Sequence, residues 1–197
     1  MNKKIIPLSF LLLLVSCNGI SLKDLDLEPT GTNTTTGCTS CRIFISTLDS
    51  TGDFGGTSAA DQICNSDVAK PTTSQYKALI FDNTRNATLN WVLKPSTNYY
   101  RSNGTTLIGT TNAQALLPVF SPSSLVNSIT SSSSKEVWTG ADLTSPPFWN
   151  TSTDNCDNWT NLSSGAAVGL PNQTDTQILD SFGDSCNTNY WFICVEQ

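Results

Sequence analysis

The 197-residue sequence contains no histidine. Histidine is the side chain whose ordinary pKa lies closest to neutral pH, so its absence excludes Ser-His-Asp and Cys-His catalysis and most catalytic zinc sites. Two carboxylates could still cleave a glycoside, but the acidic residues are scattered and no pair stands out. We therefore expect no enzymatic activity, no catalytic residue, no metal site and no cofactor.

Positive charge is scarce as well. Ten Lys and Arg residues stand against 16 acidic ones, and after Lys3 and Lys4 they occur singly along the chain. Nucleic acids and sulfated polyanions such as heparin are bound through clustered Lys and Arg side chains. The sequence therefore predicts no nucleic-acid partner and disfavours heparin.

The apolar run at residues 5–15 is far shorter than the roughly 20 residues that cross a bilayer. Because it follows Lys3 and Lys4 and precedes Ser16, it predicts a secretory signal peptide at residues 1–16. The letters LVSC at 14–17 resemble a bacterial lipobox, in which the cysteine is acylated when the signal is removed. Cys17 is therefore the predicted lipidation site. In the alternative, an ordinary signal peptide, Cys17 has no special role.

Residues 17–37 are rich in Thr, Gly, Asn and acids and carry too few apolar residues for a core. They predict a flexible lipidated tether that holds a folded domain, residues 38–197, away from a membrane. Removal of residues 1–16 leaves eight basic and 16 acidic residues, a net charge of about −8. We expect attachment to the membrane through the lipid anchor.

Six cysteines follow Cys17, and an even number in an exported chain indicates a disulfide framework. Cys38 and Cys41 have the spacing of a redox motif, but such a motif begins a helix, and here a β run follows the second cysteine. A zinc knuckle would need a second pair of ligands, which the sequence lacks. From the sequence alone the pairing stays open, with fifteen possible connectivities.

Short strands and turns dominate the local pattern. A helix is expected from a cap at Thr57 or Ser58 to Pro71, with Cys64 on its buried face. Asn103 and Gly104 predict a hairpin turn, and residues 121–134 a surface loop. Periodicity leaves helix and strand both open for residues 87–93. Strands are expected at 42–46, 76–81, 136–140 and 190–195. The fold class is therefore α+β: a single domain with short strands, one or two helices and long loops.

Several short motifs occur along the chain in a specific order. They are GGTSAADQIC at 55–64, YKAL at 76–79, KEVWTGAD at 135–142, CDNWT at 156–160 and YWFICVE at 190–196. This order resembles endostatin, the C-terminal domain of certain collagens, which has a C-type-lectin-like fold. With the lipobox, and with RIF at 42–44 and NWVLKP at 90–95, the chain more closely resembles the leptospiral endostatin-like surface lipoproteins. The likeness covers about residues 41–197.

The resemblance implies nested disulfides, Cys64 to Cys194 and Cys156 to Cys186, which leaves Cys38 and Cys41 for each other. It also implies a lipid-anchored protein of the bacterial outer membrane that is exposed at the cell surface. Members of that family are adhesins for extracellular-matrix proteins such as fibronectin and laminin, and they capture complement regulators and plasminogen. These host proteins are therefore the expected partners.

Two other functions stay open from the sequence, a carbohydrate-binding lectin and a structural envelope lipoprotein. The calcium-site motifs of lectins are not matched, although Asp154, Asn155 and Asp157 could hold a calcium ion by chance. Endostatin's histidine zinc site and arginine heparin site have no counterpart here.

The tryptophans fall into two predicted groups. Trp138 and Trp159 lie in strand-like segments and are expected in the core. Phe148 and Trp149, in the run PPFWN at 146–150, are expected in an exposed loop that contacts a partner, since aromatic side chains often anchor interfaces.

Overall fold

The structure, a computed structural model, describes residues 37–197. The expected signal peptide at 1–16, the lipidation site Cys17 and all of the tether before Gly37 lie outside the described residues. Within residues 37–197, no helix combines the length and the apolar character that spanning a membrane requires.

A five-stranded sheet forms the framework of the domain. Its central strand, β1 (Ser40–Ile45), pairs in parallel with β3 (Asn98–Arg101) and antiparallel with β10 (Ile193–Glu196). The edges are β2 (Tyr76–Ala78) beside β10 and β4 (Leu107–Thr110) beside β3. The strand order is β2-β10-β1-β3-β4, so the first and last strands of the domain are neighbours.

Both faces of this sheet are covered, because successive residues of each strand point to opposite sides. In β1, Ile43 belongs to one hydrophobic cluster and Phe44 to the other. In β10, Ile193 and Val195 belong to the first cluster and Cys194 to the second. Continuous apolar runs in β1 and β10 are therefore required by burial on two sides.

The helix α1 (Thr57–Ser66) packs with Ala60 and Cys64 fully buried, as the spacing predicts. The predicted cap at Thr57 or Ser58 is wrong. Gly56 occupies the cap position with φ of 89°, which side-chain-bearing residues rarely adopt, and no side chain caps the helix. The helix also ends before Asp67, because the extended backbone there lets its carboxylate accept the N–H of Thr47 at 2.6 Å.

A buried ion pair fixes α1 against the sheet. Arg85 donates to both carboxylate oxygens of Asp61 at 2.7 Å and to the carbonyl oxygen of Ala78 at 2.9 Å. Asp61 in turn accepts the N–H of Ala78 at 2.9 Å. The helix and β2 are therefore joined through charge-assisted hydrogen bonds as well as through packing.

A second, three-stranded sheet has the order β5-β8-β9, formed by β5 (Val137–Trp138), β8 (Gly165–Gly169) and β9 (Phe182–Ser185). A small ladder joins β6 (Ala141–Asp142) to β7 (Asn150–Thr151). The strand expected at 136–140 is confirmed in its central residues. β8 and β9 were not predicted, because glycine and alanine have low strand propensity and only pairing makes them strands.

The short helix α2 (Cys156–Trp159) is a single turn with positive φ at all four residues, from 53° to 66°. This conformation costs about 1–2 kcal/mol per residue for side-chain-bearing positions. It is held by the Cys156 disulfide, by full burial of Trp159, and by an indole N–H that donates to the carbonyl oxygen of Phe81 at 3.2 Å. Trp138 is also fully buried, so both core tryptophans are confirmed.

The remaining segments of the domain are mainly turns and loops. The hairpin of β3 and β4 around Asn103 and Gly104 is confirmed. Residues 87–93 form neither helix nor strand, and Leu89 makes an isolated bridge with Asn86. Residues 121–134 contain no helix or strand, as expected. A 3₁₀ turn spans Thr176–Ile178. Short strands, two short helices and long loops make residues 37–197 an α+β domain, as predicted.

Three disulfide bonds close the domain: Cys38–Cys41, Cys64–Cys194 and Cys156–Cys186. These are the pairs that the resemblance implies. Cys64–Cys194 joins positions 130 residues apart and ties α1 to β10. Because loop-closure entropy grows with loop length, this bond should stabilise the fold most.

We expect a Cys64→Ser, Cys194→Ser double variant to lose about 5 kcal/mol of unfolding free energy, on the chain-entropy scale. The matched Cys38→Ser, Cys41→Ser variant closes a far shorter loop and should lose about 2 kcal/mol or less. Urea unfolding followed by circular dichroism measures both values. Equal losses in the two variants would contradict the dominant role of the long-range bond.

Candidate functional site

An open apolar groove of about 680 Å³ lies among the described residues, and we name it the Phe148 groove. It lies between the chain that follows β4 and the loop that precedes β7. Its lining is mostly apolar, with a polar margin formed by residues 110–112 and Ser123. The apolar lining residues are Leu116, Leu117, Pro118, Val119, Phe120, Pro147, Phe148 and Trp149.

Side-chain hydrogen bonds hold the near wall of the groove in shape. The carbonyl oxygen of the Asn112 side chain accepts the N–H groups of Gln114 and Leu116, both at 2.9 Å. The hydroxyl of Thr111 accepts the N–H of Thr97 at 2.9 Å and donates to the carbonyl oxygen of Lys94. These hydrogen bonds pair backbone groups that would otherwise need a helix or strand to satisfy them.

Aromatic rings form the other wall. The ring of Phe148 is 48% exposed and packs on Phe120 with centroids 4.9 Å apart. Phe148 also lines a neighbouring cavity of about 290 Å³, so its ring stands between two hollows. An exposed aromatic side chain beside an apolar groove is the arrangement that protein partners commonly contact.

The predicted exposure of Trp149 is wrong, since only 5% of this residue is exposed. Its indole packs edge-on against Trp91 at 6.0 Å and Phe120 at 6.4 Å. Trp91 is fixed in turn by an N–H that donates to the carbonyl oxygen of Ala115 at 2.9 Å. The loop thus divides the predicted pair: Phe148 faces solvent, whereas Trp149 supports the groove from beneath.

We expect Trp149→Ala to cost about 3–5 kcal/mol of unfolding free energy, the usual range for truncating a buried large aromatic residue. Phe148→Ala should cost about 1 kcal/mol or less, because half of its ring is already in water. Urea unfolding monitored by circular dichroism compares the two. A larger loss for Phe148→Ala than for Trp149→Ala would contradict the packing described here.

A second, polar cavity of about 260 Å³ lies beside β6 and β8, and Asp142, Asp154 and Asp180 contribute to its lining. The Asp180 carboxylate accepts the N–H of Leu143 at 2.8 Å. Burial raises the pKa of Asp180, an effect that the Leu143 N–H opposes and the Asp142 carboxylate reinforces. The N–H and hydroxyl of Thr144 hold the pKa of Asp142 below its usual value, against slight burial.

These shifts predict opposite effects on stability. A carboxyl whose pKa is raised by folding destabilises the native state above that pKa, and the penalty disappears as the pH falls below the unfolded value near 4. Asp180→Asn should therefore be more stable than the native sequence at pH 7, by a margin that shrinks toward pH 4. Asp142→Asn, at a carboxyl of lowered pKa, should be less stable at pH 7. Thermal unfolding between pH 4 and 7 tests both; lower stability of Asp180→Asn at pH 7 would contradict the first.

The three residues considered for calcium do not form a shared site. The Asn155 side-chain oxygen accepts the N–H of Asn158 at 2.9 Å and so caps α2. Asp154 lines the polar cavity, and Asp157 is exposed on the left-handed turn. Across residues 37–197, no three His, Cys, Asp or Glu side chains come close enough to hold a metal ion together.

Sequence reasoning missed most of the Phe148 groove. Its near wall is the run LLPVF at 116–120, in which Pro118 excludes a central strand and the length excludes a helix. An apolar run of this kind must be buried by packing between loops. It is the feature of the sequence from which the groove could have been predicted. Its partner loop lies almost 30 residues further along the chain.

The chain belongs to a protein family described as "Protein of unknown function (DUF1554)", whose family model matches residues 47–177. The match covers about two thirds of the chain. It includes α1, β2 to β8 and the whole Phe148 groove. No curated protein matches the sequence.

Proposed function

We propose that this protein is a surface-anchored bacterial lipoprotein whose folded domain binds host extracellular-matrix or complement-regulatory proteins. The single observation that carries the proposal is the Phe148 groove, an open apolar cavity with a half-exposed aromatic residue at its margin. The predicted lipid at Cys17 and the tether before Gly37 would hold this domain outside the outer membrane.

The scaffold suits such a role. Three disulfide bonds and the side-chain hydrogen bonds of the loop at 111–116 fix irregular segments without ligand. A contact surface that is already ordered loses less conformational entropy on binding than a mobile one. Loops on a rigid framework are also the usual place for recognition residues.

The groove indicates the chemistry of the partner. Its walls of leucine, proline and phenylalanine favour an apolar segment of another protein over a charged ligand. None of the residues that line the groove is charged, and the chain as a whole carries a net charge of −6. A partner with an exposed apolar segment and a net positive charge therefore fits both features. Fibronectin, laminin, complement regulators and plasminogen are the candidates that the endostatin-like resemblance names.

The test is a binding panel of these host proteins on the purified chain by surface plasmon resonance at two salt concentrations. We expect one or more to bind, and Phe148→Ser to weaken that binding about tenfold, the equivalent of about 1.4 kcal/mol. Because the contact is largely apolar, the tenfold difference in affinity between the native protein and Phe148→Ser should persist at the higher salt concentration.

Phe182→Ser is the matched control, since Phe182 is 37% exposed and lines the polar cavity rather than the groove. It should leave the affinity unchanged. Absence of binding to every protein of the panel, or equal effects of the Phe148 and Phe182 substitutions, would refute the proposal.

A further inference from the structure

The Cys38–Cys41 disulfide differs from the other two in its access to solvent. Cys64, Cys194, Cys156 and Cys186 are each 0% exposed, so an external thiol cannot reach them in the folded state. Cys38 is partly exposed at the start of the described chain, whereas Cys41 is fully buried within β1. Attack on this bond is therefore directed to the Cys38 sulfur, with Cys41 as the leaving group.

A cation lies beside that sulfur. The ammonium nitrogen of Lys94 is 3.8 Å from Cys38 Sγ, and the carbonyl oxygen of Glu196 is 3.5 Å from it on another side. A nearby cation stabilises a thiolate and lowers the pKa of the thiol. The helix N-terminus that redox motifs commonly use is absent from β1, and Lys94 supplies positive charge in its place.

Hydrogen bonds fix the backbone of Lys94. Its backbone N–H donates to the Tyr99 hydroxyl at 2.8 Å, and its backbone carbonyl oxygen accepts the hydroxyl proton of Thr111. A β carbon at Gly37 would collide with the Lys94 ammonium group, so the absence of a side chain at Gly37 is what lets the ammonium lie over the start of the chain.

Among residues 37–197, the acidic side chain that acts on Lys94 is that of Glu196. Burial lowers the pKa of Lys94, and the carboxylate of Glu196 opposes that shift. The same carboxylate accepts the N–H of Arg42 and the hydroxyl of Thr72, both at 2.8 Å. A thiolate at Cys38 would add a second negative charge beside the ammonium and strengthen its protonated form.

We propose that Cys38 and Cys41 form a thiol–disulfide exchange site for dithiols, in which Lys94 stabilises the Cys38 thiolate. This site is independent of the proposed host-protein binding.

The exchange proceeds in two balanced steps. A thiolate of the dithiol attacks Cys38 Sγ; a new S–S bond forms, the Cys38–Cys41 bond breaks, and Cys41 leaves as a thiolate that takes a proton from water. The second thiol of the dithiol, after losing its proton, attacks its own sulfur in the mixed disulfide. The dithiol departs as a cyclic disulfide, two electrons have passed to the protein, and Cys38 leaves as a thiolate beside Lys94.

The length of the chain segment that each disulfide closes makes the Cys38–Cys41 bond the easiest of the three to reduce. The bond spans a sequence separation of 3, against 30 and 130 for the other two, so its closure stabilises the fold least. On the chain-entropy scale, reduction of Cys38–Cys41 should need a dithiol-to-disulfide ratio about a hundredfold lower than reduction of Cys64–Cys194.

The experiment equilibrates the purified full chain with reduced and oxidised dithiothreitol at graded ratios. N-ethylmaleimide then traps free thiols, and peptide mapping locates them. We expect Cys38 and Cys41 to be trapped at ratios where the four cysteines of the other two disulfide bonds remain paired. Reduction of all three bonds at the same ratio would overturn the proposal.

The role of Lys94 is tested on the selectively reduced protein by the rate at which iodoacetamide alkylates Cys38 at neutral pH. Lys94→Met should slow this reaction about tenfold, since the thiolate fraction falls when the neighbouring charge is removed. Lys94→Arg should retain most of the native rate. Gly37→Ala, which displaces the ammonium group without deleting it, should slow the reaction as well.

Lys77→Met is the matched control, because Lys77 is exposed on β2 and takes no part in the site. It should alkylate at the native rate. Equal rates for the native protein and Lys94→Met would refute the role of the lysine. Retained pairing of the other cysteines in each variant distinguishes a local effect from unfolding.

Discussion

The pairing of β1 with β10 is the constraint on which the other elements depend. These strands contain the first and last regular residues of the domain, and Ile43, Phe44 and Ile45 face Val195, Cys194 and Ile193 across them. β10 also carries the disulfide to α1 and pairs on its other side with β2. Both hydrophobic clusters include residues of β10, so neither is complete without the final residues of the chain, and the fold depends on contacts of long sequence separation. Such contacts must repay a large loop-closure entropy, which explains why the longest-range bond is covalent.

Irregular chain is made rigid here by polar side chains rather than by helices and strands. Asp82 accepts the N–H groups of Thr84 and Arg85, and Asp67 and Asn112 satisfy their neighbours in the same way. Asp and Asn side chains are suited to this because they reach backbone groups one to three residues away. The same chemistry that lowers the content of regular structure therefore shapes the Phe148 groove. Because its loops are held by such side-chain hydrogen bonds, a loop-rich domain can still present a defined surface.

The sequence predicted features that depend on local pattern. Ala60 and Cys64 share a helix face because of their spacing, and the hairpin at Asn103 follows from its turn chemistry. Features that depend on residues far apart in the sequence were harder to predict. Trp149 follows two prolines and was expected in solvent, yet Trp91 and Phe120, far away in sequence, enclose it. The groove was missed for the same reason, because its two walls meet only in the folded chain. The cap of α1 at Gly56 was missed because a positive φ leaves no signature beyond glycine itself.

The position of β1 has a mechanical consequence. Any pulling force transmitted along the chain from before Gly37 enters at the central strand of the five-stranded sheet, not at an edge. A load directed along β1 would shear the hydrogen bonds to β3 and β10 together instead of opening them one by one. Rupture under tension is governed by the unfolding rate, and simultaneous breakage of two ladders raises that barrier. A load that enters at Gly37 therefore meets the strand of the domain that has a partner on each side.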